Sequence, residues 1–583
     1  MNSLIEELKG TEAEIHFDEV HKRIYSVDAS IFEIVPIGIA IPKTKDALLQ
    51  ILKIAKKHKI AVIARGAATG IAGGCIGKAL IIDLSKYLNN ILSLNIEEEY
   101  AVVEPGVVQD QLNASLKLFD YRLGPDTSTG NRATIGGMAA NDSAGARSLH
   151  YGKMDQHLLE VELALSSGEL IKIKPLSIKD FEEKAVQNDA EGFIYKRIKE
   201  ILKKYDQEIK TGFPKLPRRV SGYNLDLVQE NEQINICKLI AGSEGTLGII
   251  TEMKVKICKK PKATGIAIIH FHEMLQGMQT IPFLLSFSPI ALEMIDNIIL
   301  NTGLKKNEKP SWLKDSPYMV FIAEFTGEEA QEVETKLKNF KEALLKEQIG
   351  YATVCLNEKE DINSVWNLRK AGLGLLLSKK SYNRAIAFIE DLSIPPNRLY
   401  SFMEKFQAYM EKIGKAAGIY GHIGSGCMHI RPYIDLRKQE EVELMKKIML
   451  DVTDLVLEHG GVLSGEHGDG LIRSWLTEKC FGEKLYQAFI EIKLAFDPEN
   501  RMNPGKIVWG ELLLKNLRLT PETRFANIKT FLDFKEEGGF DLAVDLCNGN
   551  GLCRKKEGTM CPSFQATNDE YDTTRARAQT LRA

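Results

Sequence analysis

From Ala64 to Gly74 the chain reads ARGAATGIAGG, a glycine-dense loop entered from the strand-like run AVI and followed by the strand-like run ALIIDLS. A dinucleotide-binding βαβ unit needs strand, glycine turn and then helix, so this order argues against a Rossmann fingerprint. Closely spaced glycines still let backbone N–H groups converge on a pyrophosphate, an anion nest that needs no lysine. Taken alone, the loop is equally compatible with an ordinary hairpin turn. Two more polar, glycine-rich segments change that balance: GPDTSTGNRATIGGMAANDSAGARSLHYGKMDQHL from Gly124 to Leu158, and GSEGTLGIITE from Gly242 to Glu252.

At 583 residues the chain has room for roughly three or four folded units. Between 35 and about 255, strand-like runs (AVIARG, ALIIDLS, AVVEPGVV, LEVELALSS) alternate with the glycine loops, and Lys45 to His58 predicts a helix. Lys254 to Gly265, KVKICKKPKATG, reads as a crossover or linker. From 266 to 460 the strand candidates IAIIHF, MVFIAEF and AIAFIED alternate with amphipathic helical patterns such as EEAQEVETKLKNFKEALLKE. The opening MNSLIEELKGTEAEIHFDEVHKR predicts an acidic amphipathic helix rather than a signal peptide. Lys and Arg total 76 against 79 Asp and Glu, a net charge of −3 without the basic field of a nucleic-acid binder. No apolar run reaches the roughly 20 residues of a membrane-spanning helix. The nine cysteines do not frame a secreted disulfide scaffold, which points to a reduced cytoplasmic setting.

Four of the eleven histidines fall between 422 and 467. GHIGSGCMHIRP sets His422 and His429 seven positions apart, which is about 10.5 Å of rise on a helix and opposite faces on a single strand. A tight turn through Gly424 and Gly426 can fold the segment back and bring both imidazoles together. SGEHGDG then supplies Glu466 and His467 beside Gly465 and Gly468. Two imidazoles and a carboxylate with an open position make a catalytic zinc-type set; satisfied polar loop residues are the plainer alternative. His459 in LEHGG stands at an expected helix end, where a cationic ring suits the dipole, and is read as structural. VWNLRKAG puts Arg369 on a helix, either solvated or as a planar clamp for a carboxylate.

Taken in order over about residues 20–510, these motifs resemble the vanillyl-alcohol oxidase/para-cresol methylhydroxylase flavoprotein superfamily. The resemblance implies an α+β chain in four parts. These are an N-terminal helical segment (1–34), a PCMH-type FAD-binding domain (35–260), an FAD-linked oxidase C-terminal, ferredoxin-like α+β substrate domain with a metal site (261–508), and a partial ferredoxin-type iron–sulfur segment (509–583). It implies that Arg65, Gly66, Ala67, Ala68, Thr69 and Gly70 cradle the FAD pyrophosphate. Pro125, Asp126, Thr127, Gly136, Gly137, Asn141, Ser143 and Gly145 would line the flavin, and Glu244, Gly245, Gly248 and Ile250 would hold the adenine end, with Asn503 a further cofactor contact. The family's common first loop carries more glycine; Ala67 and Ala68 narrow the backbone freedom without abolishing the nest. No histidine stands in this loop, where some members attach their flavin, so the FAD is expected to be non-covalent.

The histidine motifs resemble the metal site of the D-2-hydroxyacid dehydrogenase branch. By that resemblance His422, His429 and Glu466 bind a divalent metal, with zinc the first candidate, His467 is the general base, and Arg369 is the substrate arginine at the reacting centre. A metal that chelates a substrate's carboxylate and hydroxyl lowers the hydroxyl pKa. An imidazole can then take that proton while hydride leaves Cα for the flavin. Two positions depart from the human-like D-2-hydroxyglutarate dehydrogenases, which have Thr and Lys where this chain has Leu373 and Ile389. Arg431 stands where they have Asn, and HIRPYIDL looks instead like the long bacterial FAD/iron–sulfur D-2-hydroxyglutarate dehydrogenases. Arg431 is therefore the candidate contact for a distal carboxylate.

CNGNGLCRKKEGTMCPSF supplies Cys547, Cys553 and Cys561 before Pro562. The Cys-Pro ending resembles half of a ferredoxin module, although the spacings depart from C-x2-C-x2-C-x3-C-P, and a zinc knuckle is the alternative. No fourth cysteine follows before Ala583, so a [4Fe–4S] cluster would be incomplete here and finished by further chain or by a second chain. The expected activity is oxidation of a D-2-hydroxy acid to the 2-oxo acid, with D-2-hydroxyglutarate favoured and D-lactate or glycolate next. Electrons would leave through an iron–sulfur module or protein or a quinone-linked acceptor. The expected setting is cytoplasmic or membrane-peripheral, without nucleic acid, and a homodimer is the candidate assembly. A non-catalytic FAD-binding electron-transfer subunit of a multisubunit oxidoreductase is the alternative, but such a subunit needs no base at His467.

Overall fold

The computed structural model describes residues 1–304, 309–377, 380–526 and 528–583. The first sheet has the strand order Ala13–His16, Gly38–Pro42, Leu80–Asp83, Val62–Arg65. Its last three strands are parallel, and the first pairs antiparallel along its edge. The opening segment is therefore not one helix. Asn2–Lys9 and Glu19–Ile24 are helical, but Ala13–His16 extends along the sheet edge. Gly10 ends the first helix, and the Asp18 carboxylate caps the second by accepting from the His21 N–H at 3.0 Å. Helix Lys45–Lys57, capped by the Thr44 hydroxyl, buries Leu48, Ile51, Leu52 and Ala55 at three- and four-residue spacing.

The stretch read as a linker is sheet. Ile249–Lys259 is the central strand of a second, antiparallel sheet, where it pairs with Tyr100–Val103 and with Leu158–Ala164. Val255 and Ile257 are fully buried while Lys254 and Lys256 face outward, so the basic composition belongs to one face of a strand. Ala263–Phe271 follows at once as a strand of the third sheet. That eight-stranded sheet is antiparallel, with Ala263–Phe271, Met319–Gly327, Ala291–Asp296, Ala417–His422 and Cys427–Asp435 side by side. Helices Ala330–Lys346, Leu399–Lys412 and Gln439–Glu458 cover one face. The other face carries Ile266, Ile268, Ile295 and Ile322, then turns polar toward the glycine loops.

AIAFIED is not a continuous strand. Asn383–Ala385 pairs with Cys427–Asp435, and pairing resumes only at Leu392–Ser393. Between them Asp391 adopts φ +77°, a left-handed conformation that breaks the ladder. After helix Thr477–Phe496 the chain returns to the first sheet, where the Asn503 N–H donates to the Val62 carbonyl at 2.9 Å. The cysteine-bearing tail packs on the same domain through Lys86–Asp569 at 2.7 Å and Arg554–Ser85 at 2.8 Å. Among the described residues no helix is long and apolar enough to cross a membrane.

Candidate active site

His422 ends one strand, a short 3-10 turn and Gly426 at φ +77° reverse the chain, and Cys427 begins the next. Tyr420 pairs across with His429, Gly418 with Arg431, and His422 with Cys427. Alternation puts Tyr420, His422, His429 and Arg431 on one face of this hairpin, with the two imidazoles as diagonal neighbours. Their ring centroids are 5.1 Å apart. Gly426 is required twice over: its φ is left-handed, and a Cβ would fall 1.8 Å from the Ile394 carbonyl oxygen.

Glu466 completes the constellation. Its Oε1 lies 3.3 Å from Nε2 of His422, 3.2 Å from Nε2 of His429 and 3.3 Å from Nε2 of His467. Its Oε2 receives the buried Arg218 guanidinium at 3.0 Å. Three imidazole nitrogens crowding one carboxylate oxygen are a donor set that suits a divalent cation. Asp391, His429, Glu466 and His467 can each present a ligand atom within 4.8 Å of all the others, so by distance alone His467 also belongs to the set. Behind them stand three further carboxylates. Glu293 accepts from Nδ1 of His422 at 2.6 Å and holds Arg369 at 2.7 Å, Glu390 pairs with Arg431, and Asp391 lies 3.6 Å from Nδ1 of His467. Asp391 also accepts from the backbone N–H of His467 at 2.7 Å and from the Ser464 hydroxyl at 2.6 Å, fixing the SGEHGDG loop.

Burial works to raise the Glu466 carboxyl, but His422, Arg218 and His429 prevail and hold it well below the usual carboxylate range. Burial would lower His467, yet Asp391, Glu466 and Glu390 push it up to about 9. Burial holds His429 below the ordinary histidine value despite Glu466. Glu293 and Glu390, which burial would raise, are kept low by His422 with Arg369 and by Arg431 with His467 respectively.

The site forms one end of a cavity of about 750 Å³ walled by the three glycine segments. Gly66 to Gly70, Asp126, Thr127, Gly136, Gly137, Asn141, Ser143, Gly145, Glu244, Gly245, Gly248 and Ile250 line it, as do Arg369 and Arg431. At Gly245, φ +70°, a Cβ would meet nothing nearer than the Ala64 methyl at 4.0 Å, so open space faces this backbone. Such a bare-backbone wall fits a pyrophosphate-bearing cofactor. Other candidates act differently from the expectation. Arg65 lies along the wall but turns its guanidinium to the Tyr25 ring, 4.9 Å away. The Glu244 carboxylate accepts from the N–H groups of Asp469 at 2.7 Å and Gly470 at 2.9 Å, stitching an FAD-domain loop to the histidine loop. Asn503 and Pro125 do not line the cavity. Asn503 ties Gly74 to Glu244 by their carbonyls at 2.8 and 2.6 Å, and the Pro125 carbonyl accepts from Gln109 at 2.5 Å. Ile389 is in the core beneath the sheet, away from the cavity, and the Leu373 side chain lies outside the described residues.

Sequence reading missed Arg218, Glu293, Glu390, Asp391 and Tyr420. Tyr420 lies under the Arg369 guanidinium at 4.9 Å. A carboxylate inside the apolar strand ALEMID was a usable signal for Glu293, because buried charge needs a partner. Cys553 and Cys561 pack together with Phe564, and Cys547 is half-buried; all three are free thiols.

Two family models match: "FAD binding domain" over residues 36–174 and "FAD linked oxidases, C-terminal domain" over residues 260–507. D-2-hydroxyglutarate dehydrogenase of Escherichia coli (strain K12) is 31% identical over 588 residues, covering 96% of this chain and 56% of the relative. The chain thus spans little more than half the length of that relative. Glycolate oxidase subunit GlcD of Bacillus subtilis (strain 168) is 25% identical over 84% of this chain and 94% of its own. The crystal structure of p-cresol methylhydroxylase with substrate bound superposes with a TM-score of 0.63 at 14% identity, covering 87% of this chain and 96% of that one, which shows the fold.

Proposed function

The chain belongs to the FAD-linked oxidases, and on that premise we propose that it oxidises a D-2-hydroxy acid to the 2-oxo acid using FAD and a divalent metal. The observation that carries this reading is the convergence of three imidazoles on Glu466 Oε1 at the end of the glycine-walled cavity. His422, His429 and Glu466 would hold the metal. A divalent cation bound there would lower the pKa of the substrate hydroxyl and offset the carboxylates that push His467 up. Bound FAD, non-covalent because no histidine stands in its first loop, would accept the hydride from Cα.

The chain's own groups divide the remaining work. Arg369, held between Glu293 and the Tyr420 ring, presents a planar fork to the carboxylate at the reacting end. His467 takes the hydroxyl proton at Nε2 while Asp391 stands on the Nδ1 side of the ring, the usual arrangement for an oriented base. Arg431 is the cation for a distal carboxylate, which makes D-2-hydroxyglutarate the first substrate candidate, in line with the name of the Escherichia coli relative. Cys547, Cys553 and Cys561 would hold an iron–sulfur centre as the electron exit.

The test is turnover of D- and L-2-hydroxy acids by FAD-loaded protein with an artificial electron acceptor, scored by 2-oxo acid formation. We expect product from the D-acids alone. FAD-loaded, metal-loaded protein that yields no 2-oxo acid from any of them would overturn the reading.

A further inference from the structure

Arg132 is a buried cation on the cavity wall with no carboxylate beside it. The other guanidinium groups there are occupied. Arg147 pairs with Asp126 at 2.6 Å and Glu324 at 2.8 Å, Arg369 with Glu293 at 2.7 Å, and Arg431 with Glu390. Arg65 is turned to Tyr25 and donates to its carbonyl at 3.3 Å, while Lys370 is exposed to water. Arg132 is only 7% exposed, yet both of its acceptors are neutral: the Asn550 carbonyl takes Nε at 2.8 Å, and Oδ1 of Asn131 takes Nη1 at 2.7 Å. Among the described residues Nη2 has no acceptor. Burial, with Arg575 nearby, pulls the guanidinium down to about 10. A buried charge without a counter-charge is costly, so a cavity wall that carries one is suited to an anion.

The surroundings of Arg132 indicate which anion. A Cβ on Gly66 would lie 2.2 Å from the Thr134 hydroxyl oxygen, so the stretch from Arg132 to Thr134 runs against the first glycine loop. The tail meets the same loop. Asn550 and Leu552 line the cavity, and a Cβ on Gly551 would lie 3.6 Å from the Ala67 carbonyl oxygen. Arg575, buried and held by Glu570 at 2.8 Å, donates to the carbonyls of Ala67 and Ala68 at 3.1 Å each. Those carbonyl dipoles, which would repel a phosphate, are thereby engaged. Ala68 stands at φ +51°, the left-handed state that a nest of backbone N–H groups uses. We propose that Arg132 is the cationic anchor of the FAD pyrophosphate, held in place by the Asn550 carbonyl of the tail. The proposal rests on the reading that the glycine-walled cavity holds FAD. Bare backbone supplies N–H donors, and Arg132 supplies the charge that the first loop, without a lysine, does not.

The test measures FAD binding to FAD-free wild-type, Arg132→Met and Arg132→Lys proteins, with ADP and adenosine as competitors. We expect Arg132→Met to weaken FAD and ADP alike, by about 10- to 100-fold. Adenosine, which carries no phosphate, should compete as well as it does in the wild type. Arg132→Lys keeps the charge without the fork and should recover part of the loss. The same ADP-against-adenosine comparison on Arg132→Lys decides the matter where the Met variant does not fold. Loss of adenosine binding in step with ADP would make Arg132 a merely structural residue and overturn the proposal, as would unchanged FAD and ADP binding in the variants. Wild-type protein that takes up no FAD would overturn the reading beneath it.

Discussion

Glu293 accepts from Nδ1 of His422 at 2.6 Å, leaving Nε2 of that ring to face Glu466 at 3.3 Å. The other Glu293 oxygen holds Arg369 at 2.7 Å, so one buried carboxylate orients a candidate metal ligand and a candidate substrate anchor together. Glu293→Gln should cost about 10- to 100-fold in metal affinity and raise KM for the 2-hydroxy acid. Metal titration and steady-state kinetics on the one variant check both effects. Unchanged metal affinity would show that His422 is not oriented through Glu293.

The four residues around Glu466 Oε1 should separate by role. His422→Ala, His429→Ala and Glu466→Gln are expected to lose metal and slow flavin reduction. His467→Ala should keep its metal and lose roughly 100-fold or more in rate, as for a removed general base. Metal content by elemental analysis alongside single-turnover flavin reduction distinguishes them. Equal metal loss in all four variants would make His467 a ligand, as its distances also allow.

Much of this arrangement was legible in the residues, and the remainder has identifiable causes. The first glycine loop, which leads into a strand, argued against a Rossmann unit, the resemblance of the three glycine segments led to the FAD-binding domain that the family model matches, and GHIGSGCMH contained its own hairpin turn through Gly426. Basic composition hid the strand Ile249–Lys259, because alternation of Lys with Val and Ile marks a face rather than a linker. The apolar run AIAFIED hid the ladder break at Asp391, whose left-handed backbone carries no local sequence signal. That break brings Glu390 to His429 and Arg431, and Asp391 to the His467 loop. Partners such as Arg218, 248 positions from Glu466, come together only through tertiary packing.

Arg431 is buried and ion-paired with Glu390 at the cavity wall. Arg431→Met leaves Glu390 without its cation, so both substrates lose rate. The informative quantity is therefore the ratio of kcat/KM for D-2-hydroxyglutarate over D-lactate, which should narrow or invert. Loss by the same factor for both substrates would assign Arg431 to the shared carboxylate or to the metal surroundings.

Burial would raise the Glu570 carboxyl, but Arg575 and Arg554 hold it down to about 2. A carboxyl depressed on folding stabilises fully above its unfolded value near 4.5, and that stability drains as pH falls from there toward 2. The span corresponds to about 3 kcal/mol. The Tm of wild-type protein should fall more steeply between pH 5 and pH 3 than that of Glu570→Gln, which starts lower and changes less. Parallel Tm profiles would show that the Glu570–Arg575 pair does not fasten the tail.

The most direct measurement of the central claim is anaerobic mixing of FAD- and metal-loaded protein with D- or L-2-hydroxyglutarate, read as bleaching of the oxidised flavin band. The account predicts rapid bleaching by the D-acid, none by the L-acid, and loss of the D-response after chelation that returns when metal is added back. Bleaching at the same rate by both enantiomers, or by the D-acid without metal, would contradict it.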